Sequence, residues 1–180
     1  MFLFLSGGLM VTKATLKDID QIMDVINSGK AFLKSQGLDQ WQDGHPNLEM
    51  VINDIKLKNF YIIKKDNKVV SCAAIIFGDD PNYSKIYKGS WLTNGRYAVI
   101  HRFATLQDYN NQGLATEMIN YAKDRIKDGE SIRIDTHINN IPMQNLLKKN
   151  GFILCGMIYL DHIIDSHHLR LAYEYKKDTK

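Results

Sequence analysis

Phe103-Ala-Thr-Leu-Gln-Asp-Tyr-Asn-Asn-Gln-Gly-Leu-Ala115 is the stretch whose reading decides the fold. Its first residues continue an apolar run that suits a buried strand. Its middle is a polar turn containing glycine. The residues after the turn place Ala115, Met118, Ile119, Ala122 and Ile126 on one face and have helical spacing over Gly113–Ile126. A strand that turns directly into a helix aims several backbone N–H groups and the positive end of the helix at one point. Such a point favours phosphate groups over a metal or a nucleic acid.

The rest of the chain supplies the other layers around that unit. Met10–Ala14 suits a short strand, and Ile19, Ile22, Ile26 and Leu33 follow helical spacing after it. Leu48, Val51, Ile52 and Ile55 mark a second helix, with Asn47 as its cap. Phe60–Lys65 and Lys68–Phe77 form a hairpin through Asp66-Asn67. Residues 79–96 contain Pro81, Gly89 and Gly95 and no strand pattern, so this long connection is expected to be functional or partly helical. Tyr97–Leu106, Ser131–His137, Ile153–Leu160 and Leu169–Tyr175 are further strands, and Pro142–Asn150 is a helix closed by Gly151. The order β-α-α-β-β-β-α-β-α-β-β predicts an α/β chain with a mixed sheet covered by helices. Its ligand crevice should lie beyond the carboxyl ends of the parallel strands.

Composition narrows the function classes. The 180 residues suit one domain over residues 10–177, and a net charge of +3 with interspersed acids lacks the basic stripe of a nucleic-acid binder. Two cysteines, Cys72 and Cys155, are expected to be core thiols in a reducing cytoplasm rather than a disulfide or a metal pair. The six histidines show no metal-ligand spacing, so no metal is expected. Met1–Leu5 is apolar but lacks a basic leader, so residues 1–9 are expected to be a flexible leader, with Met1 and Met10 both open as starts. No membrane association is expected, the localisation is expected to be cytoplasmic, and a homodimer is left open.

Two motifs then resemble the GNAT superfamily of N-acetyltransferases. Asn110-Asn-Gln-Gly113-Leu-Ala115 is similar to its pyrophosphate loop, although Asn110 stands where that family has Arg or Gln. Asn140 precedes Gly151-Phe152 by eleven positions, as in its later signature. The resemblance spans roughly residues 10–175 and implies a GNAT-like fold with acetyl-CoA as co-substrate. It implies that Phe103, Ala104 and Thr105 hold the pantetheine arm. Asn110, Asn111, Gln112, Gly113, Leu114, Ala115 and Thr116 would then cradle the pyrophosphate, with Asn140 completing the cofactor site. The family's thiolate-protonating Tyr falls at Leu147, leaving Tyr159, Tyr173 or water for that role. Lys148 and Lys149 either meet a nucleotide phosphate or form a solvated helix face.

His101 and Arg102 interrupt an apolar strand, and buried polar groups need partners. Alternation puts His101 on one face with Val99, Phe103 and Thr105. It is either the general base for an amine or a hydrogen-bonded core histidine. Arg102, on the opposite face, is expected to pair with Asp135. Asp135 and His137 share a face of their strand, where they could bind a cationic amine. Trp41, Trp91, Tyr97, Asp39, Asp43, Asp79 and Asp80 either line an acceptor pocket or pin loops to the core. The expected activity is acetyl transfer from acetyl-CoA to the primary amine of a small molecule by direct attack. Two alternatives stay open: a protein N-terminal or lysine acetyltransferase, and a non-catalytic CoA-binding sensor.

Overall fold

The computed structural model describes residues 10–179, and the expected leader over residues 1–9 lies outside them. The strands are β1 (Val11–Lys13), β2 (Phe60–Lys65), β3 (Lys68–Phe77), β4 (Tyr97–Thr105), β5 (Ser131–Thr136), β6 (Ile153–Tyr159) and β7 (Leu169–Lys176). The helices are α1 (Ile19–Ser35), α2 (Leu48–Lys56), α3 (Leu114–Arg125) and α4 (Ile141–Lys149). One seven-stranded sheet runs β1-β2-β3-β4-β5-β7-β6, as expected of a mixed α/β architecture. Among the described residues, no helix is long and apolar enough to cross a membrane.

Local chemistry accounts for most boundaries. Asp66 and Asn67 both take positive φ, the left-handed pair that a two-residue hairpin between β2 and β3 needs. Asn47 accepts from the Met50 N–H at 3.0 Å and caps α2, while Asn140 accepts from the Met143 N–H and caps α4. Before α1, Thr15 and Asp18 form a reciprocal capping box that Lys64 reinforces, with Nζ 2.6 Å from Asp18. Leu160, expected in β6, instead begins a short 3-10 turn.

Helices cover both faces of the sheet. On one face α3 and α4 bury Leu114, Met118, Ile119, Ala122 and Leu147 against Ala73, Ile75, Ile100, Phe103 and Tyr173. On the other, α1 and α2 bury Ile22, Val25, Ile26, Val51 and Ile55 against Phe60, Cys72, Ala74 and Ala104. The long connection between β3 and β4 completes this second face, packing Tyr83 onto Val99, Ile158 and Ala172.

Two features shape β4. It pairs in parallel with β5 only from Tyr97–Val99 against Ser131–Arg133, after which the two strands part. It is also bulged, because Ala74 opposes His101 while Cys72 opposes Ala104, and Arg102 sits at φ 51°. The extra residue breaks the alternation that the sequence implies. Ile100 and Phe103 both face α3, so His101 does not share a face with Phe103. His101 and Arg102 instead both project toward the opposite layer, where they meet Asp80 and Asp54.

The connection over residues 79–96 is not free. Glu174 on β7 is fully buried and accepts from Thr93 Oγ1 at 3.1 Å, from Arg133 Nε at 3.1 Å and from the backbone N–H of Leu92. Trp91 and Tyr97 stack on the Arg133 guanidinium at 4.2 and 3.9 Å, so these two aromatics pin the loop rather than line the main cavity. Farther along, the Tyr87 N–H and C=O bond the Met157 C=O and N–H, which covers the free edge of β6. Gly89 makes this approach possible, since a Cβ there would lie 1.9 Å from the Cys155 carbonyl oxygen. Removing Glu174 strands a buried guanidinium. Glu174→Ala is therefore expected to cost about 3–5 kcal/mol in urea unfolding, and the loop should become protease-sensitive.

Candidate active site

Where β4 and β5 part, a single cavity of about 1000 Å³ opens between them. Its floor is Ile100–Thr105 of β4 and Ile134–Thr136 of β5, and it runs from the β4–α3 turn to α1. Beyond Val99 the edge of β4 that faces β5 has no strand partner, so its backbone groups are available to something placed in the wedge. This is the crevice outside the carboxyl ends of the parallel strands.

One end of the cavity is the polar turn. Asn111 and Gly113 both have positive φ, 60° and 80°, and Gly113 is the N-terminal cap residue of α3. No atom lies within 4 Å of a Cβ built on Gly113, so the glycine there serves the turn's conformation and keeps its mouth open. Leu114, Ala115 and Thr116 begin the helix, and their N–H groups lie in its first turn, where no intrahelical acceptor reaches. Phe103, Ala104, Thr105, Asn110, Asn111, Gly113, Leu114, Ala115, Thr116 and Asn140 all line this one cavity. Gln112 does not, because its side chain turns outward to accept from Lys65 Nζ at 2.6 Å. Lys149 lines the same end, while Lys148 lies outside it.

The other end is built by α1 and the segment after it. Gly29, Phe32, Leu33 and Gln36 from α1, with Gln40 and Trp41, wall the cavity. Trp41 lies so close to α1 that a Cβ on Gly29 would come within 3.0 Å of its ring. Asn140 Nδ2 donates to Gln40 Oε1 at 3.2 Å. Asp39 ties this segment to the turns after β5 and before β7, with Oδ1 3.2 Å from His137 Nε2 and Oδ2 2.6 Å from His167 Nδ1. His167 is the main reason the Asp39 carboxyl falls below its ordinary pKa, against a smaller opposing effect of burial. Burial and nearby Arg170 lower the His137 pKa, which Asp39 only partly offsets. Because the Asn139 N–H donates to His137 Nδ1, the ring proton sits on Nε2, toward Asp39. His137 is thus a strut for the loop.

Midway along the cavity stand His101, Arg102 and Asp135. His101 Nε2 lies 2.7 Å from Asp80 Oδ2, and Nδ1 has no protein partner among the described residues. Arg102 does not pair with Asp135. Its Nη2 lies 2.6 Å from Oδ2 of Asp54 on α2, because the bulge turns it away from β5. Burial pushes the Asp54 carboxyl above its ordinary pKa, with Arg102 opposing. Asp135 instead accepts from the Tyr83 hydroxyl at 2.6 Å. Burial and the adjacent Asp135 push the Tyr83 phenol well above 10. Partial burial works to raise the Asp80 carboxyl, but the hydrogen bond and charge of His101 and the Asn82 N–H hold it below the ordinary value. Among the described residues, no three His, Cys, Asp or Glu side chains are placed to hold a metal.

Leu147 is fully buried, and neither Tyr159 nor Tyr173 lines the cavity. Tyr159 packs edge-on against Tyr87, and Tyr173 is enclosed in the core. Asp54, Tyr83 and the α1 wall escaped the sequence reading. Asp54 had a signal, since it falls three residues after Val51 on the buried stripe of its helix. An acid there calls for a buried cation.

A sheet that splays beside a helix-starting turn, with a titratable pair midway along the wedge, defines an acyl-CoA-type transferase cleft. Residues 28–152 match the model of the Acetyltransferase (GNAT) family, and the chain belongs to that family. A GNAT-family acetyltransferase from Streptococcus agalactiae 2603, solved by crystallography, is 35% identical over 96% of this chain and 98% of its own, with a TM-score of 0.87. A putative acetyltransferase from Staphylococcus aureus Mu50 is 25% identical over 93% and 98%, with a TM-score of 0.66. S-alkylcysteine N-acetyltransferase of Bacillus subtilis (strain 168) is 22% identical over 113 residues, 63% of this chain and 58% of that protein.

Both thiols are buried and free, and neither lines the cavity. Burial pushes the Cys72 thiol up to about 12 and also raises Cys155. Because the thiolate is the nucleophile, reactivity should rise only as pH climbs toward those values. At pH 8 the native protein is expected to leave Cys72 unmodified by iodoacetamide, as read by mass spectrometry, and to expose it on unfolding.

Proposed function

We propose that the protein transfers the acetyl group of acetyl-CoA to the primary amine of a small molecule by direct attack. The observation that carries this reading is the continuous cavity. It joins the phosphate-suited turn, the unpartnered edge of β4 and His101 in one wedge. The open mouth at Gly113 and the free β4 edge fit the shape and hydrogen-bonding needs of a pyrophosphate and a pantetheine arm.

Acetyl-CoA supplies a thioester, which is already activated toward amines. The N–H groups of Asn111–Thr116 hold the pyrophosphate, and Phe103, Ala104 and Thr105 align the arm along β4. A backbone N–H on that edge polarises the carbonyl oxygen. His101 takes the proton that the incoming ammonium must lose before its lone pair can attack. The C–N bond forms, the C–S bond breaks, and the thiolate takes the second proton, which the nitrogen sheds on becoming an amide. A thiol pKa near 8.5 makes the thiolate a workable leaving group without an enzymic acid. The buried cysteines support transfer without a covalent enzyme intermediate.

The walls formed by Phe32, Leu33 and Trp41, with Gln36 and Gln40, favour a compact acceptor carrying an apolar group. Asp135 offers a carboxylate to the incoming ammonium. The likeness to S-alkylcysteine N-acetyltransferase supports the amino-acid class as the first to test. A CoA-binding sensor is the second reading, favoured by Leu147 where a proton donor would stand.

Thiol release from acetyl-CoA, measured against S-substituted cysteines, other amino acids, polyamines, aminoglycosides and short peptides, tests the assignment. Release is expected only with an amine present, and fastest with a compact one. Binding of CoA without release across the panel would establish the sensor instead. His101→Ala is expected to lower kcat at neutral pH by about 10²–10⁴-fold with little change in CoA affinity. Unchanged turnover would remove His101 from the mechanism.

A further inference from the structure

We propose that Asp80 is a positioning residue for His101, fixing the ring so that Nδ1 is the nitrogen that receives the acceptor amine's proton. The proposal rests on the reading of His101 as the base.

The geometry carries it. Asp80 sits 21 residues before His101, in the long connection between β3 and β4, yet its Oδ2 lies 2.7 Å from His101 Nε2. Both partners are largely shielded, with side-chain exposures of 17% and 20%, so the contact is not a solvated surface pair. Asp80 is itself immobilised on two sides. Its Oδ1 accepts from the Asn82 N–H at 2.9 Å, where it caps the 3-10 turn Pro81–Tyr83. Its own N–H donates to the Tyr97 hydroxyl at 3.0 Å. Tyr83, from the same turn, lies against the imidazole with ring centroids 5.9 Å apart and is anchored by Asp135. The ring is thus held on its edge by a carboxylate and on its face by an aromatic.

The chemistry follows from the acceptor-only nature of a carboxylate. Ionised Asp80 can only accept, so a neutral His101 must carry its proton on Nε2 and present the Nδ1 lone pair. When Nδ1 takes the ammonium proton, the new imidazolium faces Asp80 across a short, shielded contact, and the freed amine is ready to attack the thioester. The proton passes to solvent once the products depart. The other charged or titratable groups around His101 are Asp54 and Arg102, which are paired with one another, and Asp135 and Tyr83, which are likewise paired. Among the described residues, Asp80 alone bonds the ring.

Asp80→Asn separates orientation from structure. An Asn oxygen still accepts from the Asn82 N–H and keeps the cap. The amide NH₂ then faces His101 Nε2 as a donor, which reverses the tautomer and occupies the wrong nitrogen. In this variant kcat should fall on the order of 10²–10⁴-fold at neutral pH, with KM for both substrates and the thermal midpoint little changed. The deficit should narrow as pH rises toward the amine's own pKa, because a free amine needs no base. Nitrogen-15 NMR of the wild type should show His101 protonated on Nε2 when neutral, and the variant should show Nδ1.

Wild-type kcat and pH profile in Asp80→Asn, with His101→Ala inactive, would overturn the proposal and leave the base assignment standing. A pH-independent loss in Asp80→Asn would also overturn it, since a purely structural role predicts that result. If the variant does not fold, an Nδ1-protonated His101 in the wild-type spectrum overturns the proposal, and an Nε2-protonated one supports it. Unchanged turnover in His101→Ala would instead defeat the underlying reading.

Discussion

The parting of β4 from β5 is the constraint on which the rest of the site depends. Sheets bury backbone polar groups only when a neighbouring strand satisfies them. Here the ladder stops after Val99 and Arg133, leaving the edge of β4 open to the cavity. A closed sheet would leave no wedge and no free hydrogen-bonding edge. The opening also sets the direction of the site, because α3 begins where β4 ends and points its N-terminus back at the same gap.

The bulge at Arg102 is the second determinant, and it redistributes charge. Without it, alternation would send His101 and Arg102 to opposite faces. With it, both project into the layer that contains α2 and the long connection, where Asp54 and Asp80 await them. Placing two polar side chains in one layer is tolerable because each finds a carboxylate. A left-handed φ at a non-glycine residue is costly, and the paired guanidinium helps hold Arg102 there.

The long connection would be a floppy insertion if strands β5 and β7 did not anchor it. Glu174 and Arg133 bind Leu92 and Thr93, the aromatics sandwich the guanidinium, and Tyr87 completes the edge of β6. These contacts deliver Asp80 and Tyr83 to His101 with little freedom. The segment after α1 is held in a similar way through Asp39, His137 and His167. Both loops around the acceptor end therefore owe their positions to strands β5 and β7 and the turns that flank them, not to their own sequence.

Period and punctuation determined a good deal from the sequence alone. The apolar spacing of α1, α2 and α3, the Asp66-Asn67 turn and the glycine before α3 are local features, and local sterics and capping suffice to read them. The same logic located the phosphate-suited turn and nearly all the residues that line the cavity around it. It could not read the outward rotation of the Gln112 side chain, which depends on Lys65 from a distant strand. What only the tertiary structure decided was the partner of each charge. Arg102 met Asp54 rather than Asp135, Asp135 met Tyr83, and His101 met Asp80. A bulge is one residue of register, and no periodic pattern in the run Tyr97–Thr105 announces it, because it arises from pairing with Cys72 and Ala74 across the sheet. Ion pairs between residues dozens of positions apart depend on that register. The sequence names the charges, and the fold alone decides which of them come within 3 Å.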